Sequence, residues 1–160
     1  MNQVAALFVE KAGAYSNLPQ VDPWTEDRDA RTYTGSLPVV AHPPCHLWGK
    51  MANVNFARYG GEHNRPGNDL GMFRSALENV LRCGGVLEHP KASYAWAEHG
   101  LSKPVKGAGW QFTLEGLWVC EVWQSAYGHP ANKATWLVYL GKVSLFSFRW
   151  GRPEGEFQVG

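Results

Sequence analysis

Apolar positions along the chain fall into short runs broken by glycine and proline. The stretch from Gln3 to Val9 (QVAALFV) is apolar and β-branched enough for a buried strand, and it stops at Glu10-Lys11-Ala12-Gly13. Leu18 to Trp24 (LPQVDPW) holds two prolines and cannot form a long regular element. Thr25 to Tyr33 suits a short helix, with acidic residues near its start and Arg31 near its end. Leu37 to Ala41 (LPVVA) reads as a second buried strand, ended by Pro43-Pro44. Residues 49 to 68, rich in Gly, Asn, Arg and His, read as an exposed loop.

The strongest helical signal lies between Asp69 and Arg82. Leu70, Phe73, Leu77, Val80 and Leu81 recur there at helical spacing, with Asn68 as N-cap and Gly84-Gly85 as a stop. Val86-Leu87 predicts a short third strand leading into Glu88-His89-Pro90, and Ala92 to His99 a short helix. Trp110 to Gln124 resembles a hairpin turning near Gly116. A loop from Ser125 to Lys133 then precedes the last strong strand, Ala134 to Leu140 (ATWLVYL). Strands alternating with helices point to a three-layer α/β sheet, in which ligands bind beyond the carboxyl ends of the strands.

Composition narrows the class. The 160 residues suit one domain over 1–160, with a core that needs no disulfide or metal staple. Hydrophobic residues are 44% and charged residues 18%, which excludes a disordered, charge-dominated chain. A net charge of +1 gives no global field for nucleic acid or membranes, although a local cationic groove is compatible with it. Three cysteines, Cys45, Cys83 and Cys120, make a poor disulfide framework and suggest a reducing compartment. No signal peptide fits the start and no apolar run approaches membrane-spanning length, so the expectation is a cytoplasmic protein without a membrane partner. The 8 tryptophans exceed what one core needs, and their surplus suggests flat surfaces for stacking on bases or partners.

Three clusters carry candidate chemistry, each beside a strand end. His42-Pro43-Pro44-Cys45-His46 follows LPVVA, placing a thiol in a proline-stiffened loop between imidazoles that favour its ionisation. Glu88-His89-Pro90 ends a glycine-led strand, where a carboxylate is costly unless paired or working. Tyr127-Gly128-His129-Pro130-Ala131-Asn132-Lys133 forms a turn with donors at the entrance to ATWLVYL. Taken singly, each also reads as ordinary structure: a cysteine in a turn, a solvated glutamate, a decorated β-turn. His42, Cys45 and His46 with His89 or Cys120 give a metalloprotein reading, but adjacent ligands chelate one ion awkwardly and no zinc spacing exists, so no metal is expected.

In that order, the Pro-Cys loop, the strand ending in Glu-x-Pro and the Tyr-Gly-x-Pro turn resemble the cytosine-C5 DNA methyltransferase family. The family's Pro-Cys supplies the nucleophile, its Glu-Asn-Val or Glu-Asn-Pro the glutamate, and Tyr-Gly-x-Pro-Gln-x-Arg lies late in its catalytic core. Leu7-Phe8 with Gly13 is similar to the family's Asp-Leu-Phe-x-Gly-x-Gly cofactor loop, with Glu10 at the first glycine, and Asp22-Pro23-Trp24 to its ribose- and adenine-holding pair. The stretches AHPPC, LEHP and YGH-x-A-x-KATWL are also similar to a group of small phage-encoded proteins.

The resemblance implies a compact, Rossmann-like methyltransferase core with a mostly parallel sheet. It implies Cys45 as nucleophile and Glu88 as base-binding acid. S-adenosylmethionine would lie against Phe8, Gly13, Asp22, Trp24 and Pro44, and the substrate against His42, His46, Tyr127, His129, Asn132 and Lys133. A thiolate adds at C6 of cytosine to make C5 nucleophilic, while a glutamate kept partly protonated by burial stabilises the charge that develops. A base inside a duplex must be flipped out, and no target-recognition domain is recognisable, so a single strand or a nucleotide is the expected partner. Lys133, Arg58, Arg65 and Lys50 would serve phosphates, and Trp48 or Trp96 would stack on a base. The competing expectation is an inactive binding module for a nucleotide or a host defence protein. The tail after Gly141, with Phe146, Phe148 and Trp150, reads either as a partner surface or as a last edge strand.

Overall fold

Short apolar runs bounded by proline and glycine become the parallel half of one mixed sheet. A computed structural model of the chain describes residues 1–124 and 131–141, with the backbone alone for Ala131, Asn132 and 157–159. Strands β1 (Val4–Leu7), β2 (Val21–Trp24), β3 (Val39–Ala41) and β4 (Gly85–Pro90) pair in parallel in the order β2-β1-β3-β4. Between β3 and β4 the chain forms helices α1 (Lys50–Tyr59) and α2 (Met72–Cys83), and after β4 the single turn α3 (Ala95–Glu98). Strands β5 (Gln111–Phe112), β6 (Trp118–Trp123) and β7 (Ala131–Leu140) then extend the sheet as β4-β7-β6-β5, every pair antiparallel. Strand β8 (Phe157–Val159) pairs in parallel with Ala131 to Lys133 of β7.

The sheet is therefore mixed rather than mostly parallel. A parallel neighbour needs a crossover of a dozen or more residues, usually helical. Residues 42–84 supply one through α1 and α2, whereas the short link from β6 to β7 allows only a hairpin-like return.

One face of the sheet is dry. Leu7, Ala41, Leu87, Val138 and Val119 lie side by side in register and pack against Phe73, Ala76, Leu77 and Val80 of α2. Leu70 and Leu81, expected on that stripe, are exposed, and Ala76 takes their place. The N-cap position is Gly71 rather than Asn68, and the Asp69 carboxylate just before it accepts from the backbone N–H of Gly71 and Phe73 and from the Trp48 indole. On the other face Val40, Val86, Leu137 and Tyr139 are half-buried, and α2 covers only the first face.

Several local expectations change. Lys50–Tyr59 is helical rather than loop, with Ala52 its only buried residue. Residues 25–33 form two 3-10 turns rather than an α-helix. Pro23 sits within β2, which a proline tolerates because β2 is the sheet edge and pairs on one side only. Gly85 lies at φ 129°, where a Cβ would meet the Val39 carbonyl oxygen at 1.9 Å, so the close approach of β3 and β4 requires glycine.

Candidate functional site

The parallel order places β2 on one side of β1 and β3 on the other, so the loops leaving the three strands diverge. Such a switch point opens a crevice at the carboxyl ends. A cleft of about 680 Å³ lies there, lined by Phe8 to Lys11 after β1, Thr25, Glu26 and Asp29 to Arg31 after β2, Pro44 after β3, and Met72 of α2. Two lining residues, Phe8 (φ 59°) and Asp29 (φ 44°), hold left-handed backbone conformations that non-glycine residues rarely adopt. Salt bridges Lys11–Asp27 and Arg31–Asp29 brace the rim.

Of the residues expected around a cofactor, Phe8 and Pro44 line the cleft, whereas Gly13, Asp22 and Trp24 are not among its lining residues. Asp22 is occupied by Arg28 and by the Trp24 indole N–H, which together hold its carboxyl below the usual range against the opposing pull of burial. Trp24 in turn lies beneath the Arg28 guanidinium and against the edge of Tyr33. Gly13 shapes the β1–β2 loop: its N–H bonds to the Glu10 carbonyl, and a Cβ there would press on Glu10 at 3.3 Å.

That loop delivers a residue with no sequence signal. The Tyr15 hydroxyl lies 2.8 Å from His42 Nε2, and His42 Nδ1 lies 3.0 Å from Glu88 Oε2. A hydrogen-bonded chain Tyr15–His42–Glu88 thus joins the exits of β1, β3 and β4, on the sheet face opposite α2. Burial pushes the Glu88 carboxyl up, but the His42 hydrogen bond and the charges of His42, His89 and Lys133 outweigh it, so its pKa lies below the ordinary glutamate value. This reverses the expectation of a partly protonated Glu88. An ionised Glu88 accepts from His42 Nδ1–H, and in the neutral imidazole Nε2 then accepts from the Tyr15 O–H. Burial first, and then the Glu88 charge, push the Tyr15 phenol up, so it keeps its proton.

Cys45 is exposed in the loop just after Pro44, and among the described residues nothing hydrogen-bonds its Sγ. His46 beside it is exposed, and Lys133, on the face of Glu88, is half-buried. Tyr127 and His129 lie outside the described residues, as does the Asn132 side chain, and so do Phe146, Phe148 and Trp150. Trp48 and Trp96 are buried, with their indole N–H groups bonded to Asp69 and the Pro90 carbonyl, so neither offers an open stacking face. Arg58, Arg65 and Lys50 are exposed on or near α1, with Arg65 paired to Glu62. Among the described residues no group of three or more His, Cys, Asp or Glu side chains is placed to hold a metal ion. None of the described helices is long and apolar enough to cross a membrane. Compared with protein-family models, with curated proteins and with solved structures, the chain finds no match.

Proposed function

We propose that this chain is a minimal, divergent cytosine-C5 methyltransferase-like protein, with S-adenosylmethionine in the cleft and a single-stranded or flipped pyrimidine, or a nucleotide, at Cys45 and Glu88. The cleft carries this reading. Its place at the switch point, beside the Pro44-Cys45 loop, suits a nucleoside cofactor, and its volume is in the range of small-molecule sites. The parallel half of the sheet is the part that resembles a Rossmann-like core.

The lining residues fit an adenosyl group. Glu26, just past β2, stands where a carboxylate can take ribose hydroxyls, a role expected of Asp22. Phe8 and Met72 offer apolar contact, and Glu10 suits a cationic sulfonium or ammonium, whereas Asp29 is already paired with Arg31. The cofactor, when bound, supplies an electrophilic methyl group. The chain's own residues do the rest. Cys45, reachable from solvent, adds to C6, and Glu88 Oε1, which carries no hydrogen bond among the described residues, accepts from the exocyclic amine.

Calorimetric titration with S-adenosylmethionine and S-adenosylhomocysteine tests the reading. Micromolar binding, weakened by Glu26→Ala, is the expected result; absence of binding overturns it. One observation favours a second reading, a binding module for a nucleotide or a host protein: both ring nitrogens of His42 are occupied, and among the described residues no imidazole is hydrogen-bonded to the Cys45 thiol. Cofactor binding without any covalent adduct on strands containing 5-fluorocytosine would select that reading.

A further inference from the structure

C5 methylation leaves a step for which the sequence names no residue. Once thiolate has added at C6 and C5 has gained a substituent, the remaining C5 proton must leave before the Cys45–C6 bond can break. Neither Cys45 nor Glu88 is free to take it: the first is bonded to the base, and the second holds the amine.

The chain Tyr15–His42–Glu88 is the one described constellation at the strand ends with the geometry of a base system. A hydroxyl, an imidazole and a carboxylate stand in series at 2.8 and 3.0 Å, the order by which a carboxylate orients an imidazole to accept a hydroxyl proton. The elements that hold it are independent. Glu88 lies within β4, His42 follows β3 with its N–H bonded to the Leu7 carbonyl, and Tyr15 comes from the β1–β2 loop, its ring tilted against the imidazole at 5.5 Å between centroids. One imidazole separates the phenol from the carboxylate, so a base held at its amine by Glu88 would lie within one ring's width of Tyr15.

We infer that Tyr15 is the catalytic base for this step, with His42 as the positioning residue behind it and Glu88 serving both the imidazole and the pyrimidine. The inference rests on the methyltransferase-like reading. In the step, the C5–H bond breaks and its proton passes to Tyr15 Oη, while the phenol's own proton passes to His42 Nε2. The C5–H electron pair forms the C5=C6 double bond, and Cys45 leaves as thiolate. The imidazolium so formed lies against the Glu88 carboxylate, which stabilises it, and its proton is then lost to solvent.

Exchange of the C5 hydrogen for deuterium, in a single-stranded cytosine oligonucleotide in D2O without any methyl donor, isolates this step. It needs attack at C6, deuteration at C5 and loss of the original proton, and it is read by mass spectrometry. The wild-type protein is expected to catalyse exchange, Cys45→Ser to abolish it, and Tyr15→Phe and His42→Gln to slow it by about a hundredfold or more. Trapping on strands containing 5-fluorocytosine with the methyl donor present, which requires attack but no proton loss, is expected to stay at wild-type yield in Tyr15→Phe. Retained trapping separates loss of the base from loss of fold. Exchange by Tyr15→Phe at the wild-type rate overturns the assignment of Tyr15 and leaves the methyltransferase-like reading standing. Absence of exchange and of trapping in the wild type overturns both.

Discussion

Two buried-strand glutamates, one in each half of the sheet, show how the same side chain serves different ends. Glu121, in the middle of β6, has a side chain 1% exposed, and its oxygens accept from the Trp123 and Trp136 indoles and from Lys91 Nζ at 3.2 Å. Glu88, at the equivalent fourth position of β4, is 24% exposed, and its one partner among the described residues is His42, which leaves Oε1 open. Glu121 points to the face packed against α2, and there every acceptor site must be filled by protein. Glu88 points to the other face, which α2 does not cover, and there a carboxylate can stay ionised with one site in reserve. Saturation marks the structural glutamate and incompleteness the functional one.

Removing the saturated glutamate breaks the comparison most forcefully. Glu121→Ala removes an acceptor from two buried indole N–H groups and opens a cavity, so a loss of about 3–5 kcal/mol is expected in denaturant unfolding. Glu88→Gln is expected to change stability by less than about 1 kcal/mol, because its partner His42 is partly exposed and can turn to water. Its effect should appear in deuterium exchange at C5 instead. Equal destabilisation by the two substitutions would show that Glu88 is as structural as Glu121.

Acid sharpens the contrast at the next level. His89, one residue from Glu88 on the opposite sheet face, is fully buried against Phe73 and Trp96, and among the described residues neither ring nitrogen has a hydrogen-bond partner. Burial lowers its pKa to about 4, with the charge of Lys133 assisting and that of Glu88 opposing. Between pH 6.5 and 4 the unfolded chain therefore carries a proton on His89 that the folded chain does not. Stability falls as pH drops through that window, by up to about 3 kcal/mol, and this contribution levels off below about 4, where both states are protonated. A His89→Leu variant is expected to flatten that slope, as read by thermal melting across the range. An unchanged slope would place the acid sensitivity elsewhere.

The neighbours Glu88 and His89 also show what a sequence can carry. The end of β4 is legible because a glycine-led apolar run stops at Glu-His-Pro, and the Pro-Cys loop is legible because two prolines cut off LPVVA. Alternation along a strand sends Glu88 and His89 to opposite faces, but which face is dry depends on where α2 packs. Helix α1 escapes periodicity because Lys50–Tyr59 buries one residue and has no apolar stripe to read. Strand β2 is disguised by Pro23, which would mark a break anywhere but at an edge. Tyr15 is silent for a deeper reason. It lies 27 positions from His42, in a turn of ordinary composition, and only the pairing of β1 with β3 brings the two together. The antiparallel half is legible as hairpin and strand, whereas its insertion beside β4 is a matter of connection lengths.

The cysteines extend the comparison of the two halves at the smallest cost. Cys120 lies in β6, fully buried, and burial pushes its thiol up to about 12. Cys45 is exposed at the carboxyl end of the parallel half. Cys83, at the end of α2, is half-buried with its Sγ directed at the Gly35 carbonyl at 3.4 Å. A thiol-specific reagent at neutral pH is therefore expected to modify Cys45 first, Cys83 more slowly, and Cys120 only on unfolding, since reaction requires an accessible thiolate. The order is read by mass spectrometry of partly labelled protein. Modification of Cys45 should leave the melting temperature within a degree or so of the native value, because an exposed loop thiol contributes little packing. It should also abolish exchange at C5. A Cys45 that reacts no faster than Cys120 would mean that the loop after β3 is closed to solvent, and the nucleophile assignment would fall without any assay of turnover.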